Sequence, residues 1–129
     1  MKYIKKIDPR GAFQEIYKCE NLNDKWKQIS ICSINPGQTR GSHFHKETLE
    51  KYIVIEGKMF VETFHVERNN SYSKIELSNE NDFLDNEIDL MPMVHHTVYS
   101  EQGCKFLVLS SKVFDFNSTD TYTVTEKSL

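Results

Sequence analysis

The residues best suited to chemistry in this chain are histidines, and two of them stand two positions apart. His43 and His45 flank Phe44, and side chains at positions i and i+2 of a strand point to the same face of a sheet. Glu50 follows after a turn predicted at 46–48 and can return to the same volume on the next strand. This spacing predicts that two imidazoles and one carboxylate face one site.

A histidine from a distant part of the chain can complete this site. His95 and His96 are adjacent, so only one of them can point inward if their segment is an extended strand. Three imidazoles and one carboxylate suit a borderline divalent ion such as zinc and leave a position open for water or substrate. The same histidines can also work without a metal, with a neutral imidazole as general base. His65 is isolated, and we expect it to be structural.

Short strands must position these residues. Runs rich in β-branched and aromatic residues predict strands at 15–18, 29–34, 52–55, 59–64, 72–77, 88–91, 96–99, 106–109 and 122–124. Glu56-Gly57 predicts a hairpin between the third and fourth of these strands, and 79–85 carries a weak signal for one helical turn. Many short strands separated by turn residues indicate an all-β sandwich or barrel.

Length and composition favour one soluble domain over residues 1–129. The 16 Lys and Arg residues against 19 Asp and Glu residues give a net charge of −3, which argues against a nucleic-acid binder because such proteins need a basic surface. No apolar run approaches the ~18–20 residues of a membrane span, and no signal peptide is evident. We therefore expect a cytoplasmic protein. Its three cysteines lack a C-x-x-C spacing, which argues against a disulfide framework or a thiolate zinc site.

The segment from Gly37 to Gly57 reads G-x5-H-x-H-x4-E-x6-G. It resembles the first motif of the cupins, which are small jelly-roll β-barrels (double-stranded β-helices). A second cupin motif is present in degenerate form: its register from Asp89 puts a histidine in the metal position, but the usual glycine after Pro92 is missing. The resemblance implies a metal site formed by His43, His45, Glu50 and His96.

Four segments show a narrower resemblance that spans Asp8 to Tyr122. The segment 8–15 looks like the entry strand of cupins that act on nucleotide-linked sugars. The segments 36–45, 50–58 and 113–122 are similar to the C-terminal cupin of bifunctional capsular-polysaccharide enzymes. Those enzymes epimerise and then reduce a UDP-linked 4-keto-6-deoxy-N-acetylhexosamine. The resemblance implies a sugar-nucleotide-modifying cupin of polysaccharide biosynthesis.

Two related groups share the segment Arg40 to Lys46, which reads Arg-Gly-x-His-x-His-Lys. The dTDP-4-keto-sugar 3,5-epimerases carry its Arg-Gly-x-His part, and the 3,4-ketoisomerases carry all of it. Both groups work without a metal, so this segment leaves the choice between metal and base open. Glu50-Lys51 favours the metal-binding capsular group.

The implied chemistry is removal of a proton next to the 4-keto group, which forms an enolate. Reprotonation from the opposite face gives epimerisation, and reprotonation at another position moves the ketone. Without a metal, His43 is the expected base; with one, the base would be His95, a tyrosine or a metal-bound water. Tyr52 or Tyr122 is the expected acid. A metal ion, Arg40 or Lys51 would stabilise the enolate oxygen, and the two cations could instead bind the diphosphate. The predicted catalytic residues are His43, His45, His95, Tyr52 and Tyr122, and the predicted substrate-binding residues are Arg40 and Lys51.

The chain lacks the G-x-G-x-x-G loop of a dinucleotide-binding domain, so we expect no nicotinamide cofactor. Reduction would then fall to a separate reductase. We expect a homodimer, because pairing across a two-fold axis covers exposed strand edges, and the related sugar-nucleotide cupins are dimers. Two alternatives remain: a non-catalytic cupin that binds a ligand or partner, and a metal-dependent dioxygenase with iron at the same ligands.

Overall fold

The computed structural model describes residues 3–20, 25–115 and 119–124, and the ordered elements within these ranges are all strands. They are β1 (Lys5–Asp8), β2 (Gly11–Lys18), β3 (Gln28–Ile34), β4 (Gln38–His43), β5 (Glu50–His65), β6 (Ser73–Ser78), β7 (Glu87–Leu90), β8 (Val94–Ser100) and β9 (Cys104–Ser110). The prediction of an all-β chain is confirmed. In the described ranges, no helix has the length and apolar character that crossing a membrane requires.

The strands form a curled antiparallel sheet in the order β1-β2-β3-β9-β5-β8-β4, and β6 and β7 also pair with β5. The first half of β5 pairs with β7 and β9, whereas its second half pairs with β6 and β8. One hydrophobic core takes side chains from both halves, including Val54, Phe106, Met59 and Val98. β5 therefore joins two sheets whose inner faces share a core.

The hairpin predicted at Glu56-Gly57 is wrong, because β5 continues through both residues. The strand is irregular here instead: its register against β9 shifts between Val54 and Glu56. Gly57 has a φ of 82°, and a Cβ at this position would lie 2.7 Å from the carbonyl oxygen of Gly103. The glycine therefore bends the strand from one sheet into the other. A bent strand and a hairpin carry the same local glycine signal.

Three further expectations differ from the structure. β1 and β4 were absent from the predicted strands because their polar sequences lack hydrophobic alternation. The segment 79–85 forms turns and no helix. The last predicted strand is reduced to an isolated bridge between Tyr122 and Phe44.

Side-chain alternation along three strands brings polar groups to one end of the core. In β5, Glu50 and Tyr52 are buried inside. In β8, His96 is buried, and it pairs across the ladder with His43 at the end of β4. These side chains lie next to the hydrophobic core and form a polar cluster at one end of it.

Candidate active site

Three imidazoles and one carboxylate meet at this end of the fold, as the spacing predicted. Potential ligand atoms of His43, His45, Glu50 and His96 all lie within 4.8 Å of one another. The ring centroid of His43 lies 5.1 Å from that of His45 and 4.7 Å from that of His96. The group has the composition and the compactness that a divalent metal ion requires.

His45 is held by a hydrogen bond at each ring nitrogen. Its Nδ1–H donates to the backbone carbonyl of Asp120 at 2.6 Å, and its Nε2 lies 2.8 Å from Glu50 Oε1. Burial is the largest single influence and opposes the charged imidazole, but the hydrogen bond and charge of Glu50, together with the contacts to Asp120, outweigh it and raise the pKa of His45. Burial likewise opposes ionisation of Glu50, yet the histidines lower the pKa of this carboxyl. Without a metal, the two side chains thus form a buried ion pair.

His96 is only 1% exposed and has one nitrogen free. Its Nδ1–H donates to the carbonyl of Val94 at 3.2 Å, which leaves the lone pair on Nε2. That atom lies 3.5 Å from Glu50 Oε1 and has no hydrogen-bond partner among the described residues. Burial lowers the pKa of His96. A neutral, buried nitrogen aimed into a ligand cluster fits a metal ion, because an unsatisfied polar atom is otherwise costly.

His43 is half-buried, whereas His45 and His96 are buried. Burial, together with the neighbouring His96 and His45, lowers its pKa to about 4. An imidazole with so low a pKa is neutral at pH 7 and is a weak base. Its environment therefore suits a metal ligand better than a general base.

The cluster opens into a cavity of about 310 Å³. Tyr52 lines this cavity, and the edge of its ring lies against His96 with centroids 5.7 Å apart. Burial raises the pKa of Tyr52 well above its usual value. The phenol therefore stays protonated and can act as a proton donor.

Basic side chains line the same cavity. Arg40 Nη1 is buried without a hydrogen-bond partner among the described residues and lies 3.9 Å from the carboxylate of Asp8. Lys6 and Arg10, which the sequence analysis did not single out, also line the wall. A cavity with three cationic side chains and two carboxylates, Asp8 and Glu50, carries an excess of positive groups and favours an anionic ligand.

Two predicted site residues point away from the cavity because their neighbours in the strand point in. Lys51, next to Glu50, lies 3.7 Å from Glu87 and 3.5 Å from Asp89 on β7. His95, next to His96, stacks on Phe64 with ring centroids 4.5 Å apart. The structure therefore does not bring Lys51 or His95 to the site.

Tyr122 also lies outside the cavity. Its backbone pairs with that of Phe44, and the two rings pack with centroids 5.6 Å apart. The ammonium of Lys46 lies 4.2 Å from the centre of the Tyr122 ring. Phe44 points to the side opposite His43 and His45, so a ring that covers Phe44 cannot enter their cavity. Of the two predicted tyrosines, only Tyr52 lines it.

Asp120 is the residue that the sequence analysis missed. Its carboxylate accepts hydrogen bonds from the backbone N–H groups of Lys46, Glu47 and Thr48 at 3.0, 2.8 and 2.9 Å. The Thr48 hydroxyl adds a fourth at 2.8 Å. These contacts join positions 72 to 74 residues apart, so no local pattern could have revealed them.

Comparisons with known proteins show the family and the fold of the chain. A family model described as the polysaccharide biosynthesis C-terminal domain matches residues 6–122. The UDP-2-acetamido-2,6-beta-L-arabino-hexul-4-ose reductase of Pseudomonas aeruginosa is 42% identical over 50 residues, which are 39% of this chain and 12% of the reductase.

Two solved structures share the fold. The capsular polysaccharide assembling protein CapF of Staphylococcus aureus has a TM-score of 0.81 at 25% identity, over 96% of this chain and 32% of CapF. This chain therefore spans about a third of CapF. QdtA of Thermoanaerobacterium thermosaccharolyticum, a sugar 3,4-ketoisomerase in complex with TDP, has a TM-score of 0.65 at 20% identity, over 98% of this chain and 88% of QdtA. The chain is an all-β cupin and belongs to the polysaccharide biosynthesis C-terminal domain family.

Proposed function

We propose that this chain epimerises or isomerises a nucleotide-linked 4-keto-6-deoxy sugar through an enolate, as a step of polysaccharide biosynthesis. The observation that carries the proposal is the carboxylate of Glu50 among three imidazoles, at the wall of a cavity with cationic side chains. The similarity to a sugar-nucleotide reductase and to CapF supports the substrate class.

His43, His45, Glu50 and His96 would hold one divalent ion, which we take to be zinc because zinc favours imidazole and carboxylate ligands. The free Nε2 of His96 and the low pKa of His43 support this assignment. A bound zinc ion would supply Lewis acidity for a carbonyl oxygen. The metal-free alternative keeps these histidines as acid–base groups, with His43 as the base.

The proposed roles of the other cavity groups follow from their protonation. When the histidines hold a metal, a water in the cavity would take the proton from the sugar carbon, and His43 would take it when they do not. Tyr52 is held protonated by burial, so it would return a proton to the sugar after the enolate has formed, and solvent would restore its own proton. Return from the opposite face gives epimerisation, and return at another carbon moves the ketone. Arg40, with a buried and unpartnered Nη1, would bind an anionic oxygen of the enolate or the diphosphate.

Solvent exchange tests this proposal directly. The protein is incubated in D2O with UDP-linked and dTDP-linked 4-keto-6-deoxy sugars, and NMR follows deuterium at C3 and C5. We expect incorporation with at least one of these sugars, and a loss of about 100-fold in the exchange rate in Tyr52→Phe. Tyr122→Phe is the matched control and should exchange as the wild type does, because its ring lies outside the cavity.

The same experiment separates the alternatives. Tight binding of the sugar nucleotide without deuterium incorporation would replace the enzyme with a non-catalytic binding module. Oxygen consumption that requires added iron would indicate a dioxygenase. Exchange that is unaffected by Tyr52→Phe would retain the enolising activity but remove Tyr52 from it.

The proposed partners are a second copy of the chain and a separate reductase. Strands β1 and β2 at one end of the sheet expose Ile7, Ile16 and Tyr17, which a homodimer could cover. Light scattering at micromolar concentration tests the dimer, and a monomer mass would contradict it. A coupled assay with a reductase and NADPH tests whether reduction follows in another protein.

A further inference from the structure

The turn that follows His45 is held by one side chain from the distant segment 119–124. The Asp120 carboxylate accepts three successive N–H groups and one hydroxyl from 46–48. Without the Asp120 carboxylate, these three N–H groups would lose the acceptor that they have in the structure. Thr48 is 8% exposed, so loss of its partner would leave buried donors unsatisfied.

The same residue contacts the site through its backbone. The carbonyl of Asp120 accepts the Nδ1–H of His45 at 2.6 Å, which keeps a proton on Nδ1 and makes Nε2 the nitrogen that can give up its proton to bind a ligand. Nε2 is the atom that faces Glu50. The carboxylate and the carbonyl both belong to Asp120. The hydrogen bonds from the carboxylate to the 46–48 turn therefore also fix the position of the carbonyl beside His45.

We propose that Asp120 is a positioning residue: its carboxylate anchors the 46–48 turn so that its carbonyl keeps the His45 ring oriented with Nε2 toward Glu50. The expected effect of Asp120 on zinc binding rests on the proposed metal centre. The contact between Asp120 and the His45 ring can be measured without metal. Partners in the outer shell of metal-binding histidines commonly set ligand orientation and basicity.

The neighbouring contacts do not offer a substitute for Asp120. Tyr122 and Phe44 exchange two backbone hydrogen bonds of 3.0 Å, which hold the segment to the strand end but do not touch His45. Lys112 and Glu47 form an ion pair on the exposed side of the turn. Removing that ion pair changes charge near the turn while leaving the Asp120 contacts in place, so Lys112→Gln is a matched control.

The first test measures zinc affinity by competition with a chromophoric chelator. We expect Asp120→Ala to lower the affinity by about 10- to 100-fold, Asp120→Asn to lower it less because one acceptor oxygen remains, and Lys112→Gln to leave it unchanged. Zinc affinity within twofold of wild type in Asp120→Ala would overturn the inference. If Asp120→Ala does not fold, the Asp120→Asn and Lys112→Gln pair decides by the same criterion.

The second test uses long-range nitrogen–proton NMR of the His45 ring in metal-free protein, at a pH where the nitrogen shifts show a charged ring with both nitrogens protonated. We expect a hydrogen-bonded Nδ1–H that exchanges slowly with water in wild type and Lys112→Gln, and faster exchange of this proton in Asp120→Ala. An unchanged exchange rate would overturn the inference. If wild type binds no zinc, the proposed metal centre fails, and the Nδ1–H measurement alone decides the role of Asp120.

Discussion

Two glutamates, Glu15 and Glu50, are both buried but face different partners. Glu15 on β2 is 1% exposed, and its Oε1 lies 2.9 Å from Lys18 Nζ and accepts the N–H of Ile4 at 2.9 Å. Glu50 on β5 is 8% exposed and faces His45 and His96. Glu50 lines the cavity, whereas Glu15 does not.

The comparison shows that the partner, and not burial, distinguishes a candidate site from a structural pair. An ammonium group has no lone pair, so Lys18 can only neutralise a carboxylate. An imidazole can lose its proton and become a ligand or a base. The Glu15 contacts therefore hold β2 to the segment at Ile4. The histidines around Glu50 can instead lose a proton and bind a metal ion.

The largest expected effect is on folding stability at the Glu15 pair. Lys18→Met leaves the Glu15 carboxylate buried without its cation, and we expect a loss of about 3 kcal/mol in the free energy of unfolding. Chemical denaturation measures this loss. Zinc affinity should stay at the wild-type value, and a parallel loss of zinc binding would mean that the two regions are not independent.

At the Glu50 cluster we expect the opposite: a loss of zinc affinity with little change in folding stability. Glu50→Gln removes a charged ligand, and we expect zinc affinity to fall about 100-fold, or ~2.7 kcal/mol. The unfolding free energy of the metal-free variant should stay within about 1 kcal/mol of wild type, because the glutamine amide can donate to His45 Nε2. Calorimetric titration and denaturation check both values. Wild-type zinc affinity in Glu50→Gln would remove Glu50 from the metal site.

A smaller effect should appear as pH dependence of the metal-free protein. The His43 imidazole gains its proton near pH 6.5 in the unfolded chain but only near pH 4 in the folded one. The unfolded state thus binds more protons between these values, so stability falls as pH drops from 6.5 to 4, by about 2–3 kcal/mol for this group.

Denaturation curves between pH 4 and 7.5 test this dependence. The raised pKa of His45 has the opposite sign, since its contribution is present below pH 6.5 and is lost at higher pH. The difference between wild type and His43→Gln therefore isolates His43. His43→Gln should flatten the acid fall, whereas Lys18→Met should keep it because the histidine cluster is intact. An equal slope in His43→Gln and wild type would contradict the prediction.

Much of the site could be predicted from local spacing. His43 and His45 are two residues apart, and Glu50 follows on the next strand. Because side chains two apart in a strand share a face, this spacing was enough to predict that the three side chains lie together. The same period explains why one histidine of the pair at 95–96 is inside, and the register of the second motif pointed to His96. The cupin fold followed from the resemblance of these motifs.

Other features depend on contacts that no local pattern encodes. The sequence near Gly57 permits either a hairpin or a bend, and the close approach of the Gly103 carbonyl selects the bend. Lys51 and Tyr122 have suitable chemistry, but strand alternation and packing on Phe44 direct them away from the cavity.

The sequence by itself determined the residue types of the site, the strand period that groups them and the family they indicate. Only the tertiary structure decided that Asp120 anchors the turn after His45 and that Arg40 and Tyr52 share the cavity with the histidines. The physical reason is that side-chain direction follows from the local period of the backbone, whereas contacts between distant segments depend on how the curled sheet brings its strands together.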